Sequence, residues 1–262
     1  MLLSPHLDDV AFSCGGIAAR LAEAGWRTLI VTAFTRSIHP ASGFALECQR
    51  DKGLADETDY MALRHEEDRY SCLALGCEQI MLDLPEAPHR GYASASCLFA
   101  PPHADDEIAR PLADLLYGLL AREQPALVLA PQGCGRHVDH IRMLDAVFDL
   151  RDGGSFRSAA LGFYRDTPYV IRDPQATPDP RIDTLAPDDI MMPVGGSAWC
   201  RKKQAVAAYS SQLGFQFGGV EAALDAIDGL ARREAGEQAQ PGSVLGERLR
   251  TPDRHLLAAV FA

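Results

Sequence analysis

Short apolar runs alternate with helix-length amphipathic stretches from the first residue to about residue 131, and no other feature restricts the fold of this chain so strongly. Residues 1–3 form a truncated strand. Residues 17–24 then carry a helical pattern that stops at Gly25, and residues 28–31 read as a buried strand. Leu63, Tyr70, Leu73, Ala74 and Cys77 share one helical face ahead of a strand at 80–82. Ile108, Leu112, Leu115, Leu116 and Leu119 mark the strongest amphipathic helix, and a strand follows over 126–131. Strand–helix–strand order repeated in this way predicts an α/β fold, a doubly wound and mainly parallel sheet with helices on both faces and right-handed crossovers. Past about Asp152 the pattern loosens into a smaller mixed α/β portion, with a strand at 161–164, a Pro/Asp-rich loop over 172–189 and helices near 201–213 and 220–233. The expectation is one domain over 1–262, with a core over about 1–150 and a C-terminal subdomain over about 151–262. Residues 36–60 and 85–103 carry Pro, Gly, Ser and charge without a period, which predicts long loops over the active face.

Chemistry-bearing residues fall where such a sheet exposes them. Ser4-Pro5-His6-Leu7-Asp8-Asp9 lies at the carboxyl end of the first strand. His137-Val138-Asp139-His140 follows the strand at 126–131 after the turn Gln132-Gly133-Cys134-Gly135. Open α/β sheets place their chemistry at these strand ends, so the two clusters point to one metal site. Two imidazoles and one carboxylate, His6, Asp9 and His140, suit a divalent ion of zinc type and leave a position open for water. Asp8 is then free to act as general base, while His137 faces the carbonyl oxygen and Asp139 orients the His137 ring. The chemistry predicted from this set is hydrolysis of an amide or ester. A plainer alternative for Asp8 and Asp9 is that they cap the helix that follows.

Charge and cysteine content exclude other classes. A net charge of -11 disfavours a sequence-independent grip on nucleic acid or an anionic membrane, and Arg201-Lys202-Lys203 is too short a basic run to reverse that. Seven scattered cysteines without a CxxC pair argue against a disulfide framework or a thiolate zinc finger, and fit a reducing, cytoplasmic compartment. The sequence carries no apolar stretch of membrane-span length and no signal-peptide pattern at its start. The expected partner is a small molecule, and a homo-oligomer is compatible with the sequence.

Pro5-His6-Leu7-Asp8-Asp9 and His137-Val138-Asp139-His140 resemble the two signatures of the PIG-L/LmbE-like deacetylase family. Arg64 and Glu67 with Leu75-Gly76, the segment Phe163-Tyr164-Arg165-Asp166-Thr167-Pro168-Tyr169, and Lys203 with Tyr209-Ser210-Ser211-Gln212 extend the likeness over most of the chain. The resemblance implies a zinc enzyme on a Rossmann-like sheet that removes the N-acetyl group of N-acetylglucosamine-containing substrates. It implies His6, Asp9 and His140 as metal ligands, Asp8 as base, His137 as oxyanion stabiliser or acid with Asp139 behind it, and Arg64 as a sugar contact. Tyr164 and Tyr169 are candidates to line the pocket. Leu7 and Val10 depart from the commoner Pro and Glu of the first signature, and the loop after Phe34-Thr35 lacks a Gly-Glu pair found in members acting on small amino-sugar glycosides. Alternatives are a metal amidohydrolase for a non-sugar substrate, an Fe(II) oxygenase built on His6-Leu7-Asp8 and a distant histidine, and a non-catalytic carbohydrate-binding module. The helical periodicity speaks against the oxygenase, whose His-x-Asp type uses β-rich folds. A binding module predicts a lost ligand or base, and neither is lost. His39, His65, His89, His103 and His255 read as surface or structural, Gly195-Gly196 as a turn, and Gly15-Gly16 lacks the surroundings of a nucleotide loop.

Overall fold

A computed structural model describes residues 1–236 and 245–261. It opens with β1 (Leu2–Ser4), α1 (Asp9–Glu23), β2 (Leu29–Phe34), α2 (Gly43–Asp51), α3 (Tyr60–Leu75) and β3 (Glu78–Leu84). Then come a one-turn α4 (Ala95–Leu98), α5 (Ala109–Glu123), β4 (Leu127–Pro131), α6 (Val138–Asp152) and β5 (Ala160–Tyr164). The remainder holds α7 (Tyr169–Arg172), α8 (Pro180–Leu185), β6 (Ile190–Val194), α9 (Gly196–Ala207), α10 (Ser210–Phe217), α11 (Val220–Ala235), β7 (Leu245–Arg250) and α12 (Arg254–Phe261).

The seven strands form one sheet in the order β3-β2-β1-β4-β5-β7-β6. The first five are parallel, with Leu3 opposite Val31, Leu2 opposite Leu129 and Leu129 opposite Gly162, whereas β7 runs antiparallel to β5 and β6. Pleating sorts the apolar residues. Leu127 and Leu129 pack with α1, α9 and α11 on one face, and Val128 and Ala130 pack with α5 and α6 on the other. Cover on both faces is why the central strands are apolar at nearly every position. Each buried Leu or Val contributes roughly 1.5–3 kcal/mol relative to exposure.

α1 is kinked at Cys14 (φ -130°, ψ 26°). The Gly16 and Ile17 N–H groups there donate to the Glu247 carboxylate of β7 at 2.9 and 2.7 Å, and Lys202 of α9 pairs with the same carboxylate at 2.6 Å. A Cβ at Gly16 would lie 2.8 Å from Val194 Cγ1, so glycine is what lets β6 approach the kink.

Four expectations are corrected. The segment 36–60 holds α2, the segment 85–103 holds a 3₁₀ turn (Ala87–His89) and α4, and the segment 172–189 holds α8. α2 buries only Ala45 and Gln49, so no apolar stripe announces it. The helix expected at 201–213 is two helices, α9 and α10. No described helix is long and apolar enough to cross a membrane.

β1 and β4 are neighbours at the point where strand order reverses direction, the crevice in which doubly wound sheets bind ligands. The His6–Asp9 and His137–His140 segments leave the carboxyl ends of these two strands.

Candidate metal centre and active site

Asp9 opens α1, and its Oδ2 accepts the His6 N–H at 2.8 Å. The same oxygen stands 3.3 Å from His6 Nδ1 and 3.3 Å from His140 Nε2. Two donors bound tetrahedrally at about 2.0–2.1 Å from one ion would be about 3.3–3.4 Å apart, so both spacings match the edges of a tetrahedral site. The far side of each ring is held by a carboxylate. Asp139 Oδ2 accepts from His6 Nε2 at 2.9 Å, and Asp166 Oδ1 accepts from His140 Nδ1 at 2.6 Å. Where a cation takes the place of the rings' second protons, those partners would fix the tautomers that turn the His6 Nδ1 and His140 Nε2 lone pairs toward it. His140 Nε2 is fully buried without a hydrogen-bond partner, an orphan atom that a metal would satisfy.

The local field agrees. Burial opposes charge on His140, yet Asp9 and Asp166 outweigh it and raise its pKa to about 9. His6 is likewise raised despite burial, by Asp139 and Asp9. Burial pulls Asp9 up, but His140 and His6 hold it well below the carboxylate range. Four buried carboxylates, Asp8, Asp9, Asp139 and Asp166, gather around these two rings, and a divalent cation suits that surplus.

The proposed base and acid sit beside this set. The Asp8 side chain makes no cap bond to α1, which removes the capping alternative for that residue. Its Oδ1 lies 3.6 Å from the Arg64 guanidinium. Burial raises the Asp8 pKa to about 6, opposed by Arg64 and assisted by Asp9. Arg64, itself buried, also donates to Glu86 at 2.6 Å. His137 caps α6, its Nδ1 accepting the Asp139 N–H at 3.2 Å, so the neutral ring carries its proton on Nε2. Burial, then the charge of His6, lowers its pKa to about 3. One ring nitrogen from each of His6, His137 and His140 lies within 4.8 Å of the other two.

Two assignments made from the sequence are corrected. Asp139 does not orient His137 through its carboxylate: it grips His6, accepts the Ala87 N–H at 3.1 Å, and is clamped by Arg90 at 2.8 Å. Only its backbone N–H reaches His137. Tyr164 is not a pocket residue. It points into the core beneath the sheet, where its hydroxyl donates to the Leu3 carbonyl at 2.8 Å. Tyr169, five residues on, lines the cavity instead, with its ring 5.4 Å from that of His140.

The cavity has a volume of about 260 Å³ and reaches from His6, Asp8, Asp9 and His137 to Arg64 and Glu86. Its walls come from both parts of the chain, including α2, α7 and α10. His39 and His89 line it, although the sequence marks neither; His65 bonds the Thr35 carbonyl at 2.7 Å and His103 stacks on Tyr92. Sequence reasoning missed Glu86, Arg90 and the role of Asp166. Asp166 follows the carboxyl end of β5, and that position was its signal.

Comparison with known proteins identifies the family and the fold. A family model, "PIG-L: GlcNAc-PI de-N-acetylase", matches residues 1–150. A 2'-N-acetylparomamine deacetylase of Streptomyces fradiae is 35% identical over 171 residues, which are 65% of this chain and 57% of that protein. The chain thus spans little more than half the length of this curated relative. The solved structure of an A40926 pseudoaglycone deacetylase superposes with a TM-score of 0.78 at 25% identity, covering 95% of each chain. A zinc-inhibited form of a teicoplanin deacetylase superposes with a TM-score of 0.79 at 24% identity, covering 95% of this chain and 96% of that one, and shares the fold. With that match over more than half its length, the chain belongs to the PIG-L family.

Proposed function

We propose that this protein is a metal-dependent amidohydrolase that removes an N-acetyl or related N-acyl group from an N-acetylglucosamine-containing small molecule or glycoconjugate. The observation that carries the proposal is the pair of 3.3 Å spacings from Asp9 to His6 and His140 with Asp8 and His137 alongside. His6 Nδ1, Asp9 Oδ2 and His140 Nε2 would hold the ion, for which we propose zinc. A divalent ion bound there supplies Lewis-acid polarisation of the acyl carbonyl and lowers the pKa of a water molecule.

The residues supply the rest. Asp8, lifted to about 6, is ionised at neutral pH yet basic enough to accept the proton of the attacking water. His137 Nε2–H donates to the carbonyl oxygen as charge builds on it, a contact strongest in the transition state. The departing amine takes a proton from Asp8 or His137. Arg64 fixes Asp8 on one side and Glu86 on the other, and its place in the cavity wall supports a role in holding the sugar. Asp139, Asp166 and Arg90 act as positioning residues behind the ligands. Because the cavity draws walls from both parts of the chain, we assign the activity to residues 1–262 as one unit.

The deacetylases among the relatives support a sugar amide as substrate. The test incubates the metal-stripped and reloaded protein with N-acetylglucosaminides and with simple non-sugar amides, reading acetate and free amine. A zinc-inhibited relative makes substoichiometric zinc a necessary arm of the titration. Asp9→Asn is expected to lose metal, and Asp8→Asn to keep it while turnover falls roughly a hundredfold to ten-thousandfold. Equal cleavage of sugar and non-sugar amides would leave only the amidohydrolase part standing.

A further inference from the structure

Lys52 is a cavity group that the deacylation chemistry leaves unused. It caps the C-terminus of α2, where Nζ donates to the Cys48 carbonyl at 2.9 Å. The ammonium lies 5.1 Å from the centre of the Tyr60 ring and 4.9 Å from that of Phe215. Among the described residues no carboxylate oxygen stands within 4.0 Å of it. The other cavity-lining cations divide cleanly. Arg64 is held by Glu86 and Asp8, and Arg36 by Asp83, so their charge is already answered. Arg172 shares the condition of Lys52, with the backbone and side-chain oxygens of Gln216 as its partners. Lys52 touches Phe215 and Arg172 touches Gln216, consecutive residues of α10, so the two uncompensated cations share one end of the cavity.

Ring faces and one carbonyl stabilise an ammonium weakly compared with an anion, and the Lys52 side chain is half-buried. Burial, and after it the charge of Arg64, lowers its pKa, as for a cation lacking a full counter-charge. Asp51 and Glu86 also line the cavity, so in a chain of net charge -11 the two cations without an ion-pair partner are a local feature of one end of it.

We infer that Lys52 is a specificity-determining residue that binds an anionic group, a carboxylate or phosphate, carried by the substrate away from its amide. The inference rests on the deacylase reading above. A lysine serves as a point charge with three donors on a flexible stem, so it reads the sign of the group and not its shape. Arg172 adds to the attraction at longer range.

The test is a matched series of N-acetylglucosaminides whose aglycones end in a carboxylate, a phosphate, a carboxamide or an ammonium. Wild type, Lys52→Met and Lys52→Arg are compared by kcat/KM at low and high ionic strength. Wild type is expected to favour the carboxylate or phosphate member over the carboxamide by about tenfold to a hundredfold, mostly through KM, in the range of a charge-assisted hydrogen bond. The ratio falls toward one in Lys52→Met, persists in Lys52→Arg, and shrinks with added salt. An identical ratio in wild type and Lys52→Met, or a preference for the ammonium member, overturns the inference. If no member releases acetate, the deacylase reading fails. Calorimetric binding of the same four compounds to wild type and Lys52→Met then decides the anion site independently.

Discussion

Replacing Asp139 by Asn separates two accounts of that residue, because the substitution keeps its shape and removes its charge. The carboxylate accepts from His6 Nε2 and the Ala87 N–H at 2.9 and 3.1 Å through Oδ2, and its Oδ1 forms an ion pair with Arg90 at 2.8 Å. An amide offers one acceptor oxygen and an NH₂ group, so at least one of these donors faces another donor. His6 then loses the anion that fixes its tautomer and raises its basicity as a ligand. Loss of such an outer partner weakens metal binding by roughly tenfold to a hundredfold, or about 1.4 to 2.7 kcal/mol. The assay is a competition titration with a chromophoric chelator, followed by kcat at saturating metal. Metal affinity should drop by that factor while kcat recovers to within a few-fold once the site is filled. Unchanged affinity with a kcat as low as that of His137→Ala would refute the reasoning and restore Asp139 as the partner of His137.

Tyr164→Phe should lower stability by about 1 kcal/mol through the orphaned Leu3 carbonyl and leave KM in place; a tenfold rise in KM without a change in melting temperature would return Tyr164 to the substrate site. Burial raises the Asp68 carboxyl to about 6, against the pull of the Tyr209 hydroxyl at 2.6 Å. Its contribution to stability is therefore whole below the ordinary 3.8 and declines as pH rises through 6. Asp68→Asn should remove that decline and gain on the order of 3 kcal/mol over wild type at pH 7.5 relative to pH 4, read by chemical denaturation; parallel curves would refute it. Gly135 has φ +79°, and a Cβ there would overlap the Tyr169 ring. Gly135→Ala should cost about 1–3 kcal/mol and raise KM by displacing that cavity wall, and an unaltered KM would show that Tyr169 does not touch substrate.

β1, β2, β4 and β5 were legible because cover on both faces forces unbroken apolar runs such as Leu127-Val128-Leu129, while the edge strand β3 showed only through the shorter run Ile80-Met81-Leu82. β7 was not. Its sequence Leu-Gly-Glu-Arg-Leu-Arg reads as polar, and Glu247 is buried only because Lys202 and two N–H groups of α1 meet it. The side chains that the structure brings together at the candidate site were legible for a similar reason: His6 and Asp9 share one turn after a strand, and His140 shares another with His137. Their supports were hidden. Asp139 reaches a histidine 133 residues away, and which imidazole a first-turn carboxylate meets depends on how α6 is set against β1, which local sequence does not encode. Arg90 enters from the segment after β3 and shows no pattern at all.

The joint at Glu247 also bears on how such a chain can be recombined. The stretch that matches the family model ends at residue 150, yet the helix that begins with Asp9 has two of its backbone donors satisfied from β7, nearly a hundred residues further on. A chimera that grafts another member's C-terminal half onto this N-terminal half would inherit His6, Asp9 and His140 intact and still leave the Gly16 and Ile17 N–H groups stranded unless the graft brings its own equivalents of Glu247 and Lys202. The two halves are therefore heritable as a matched pair, and the exchangeable parts of the scaffold are the outer segments that carry Ile38, Phe99 and Phe215 at the cavity rim.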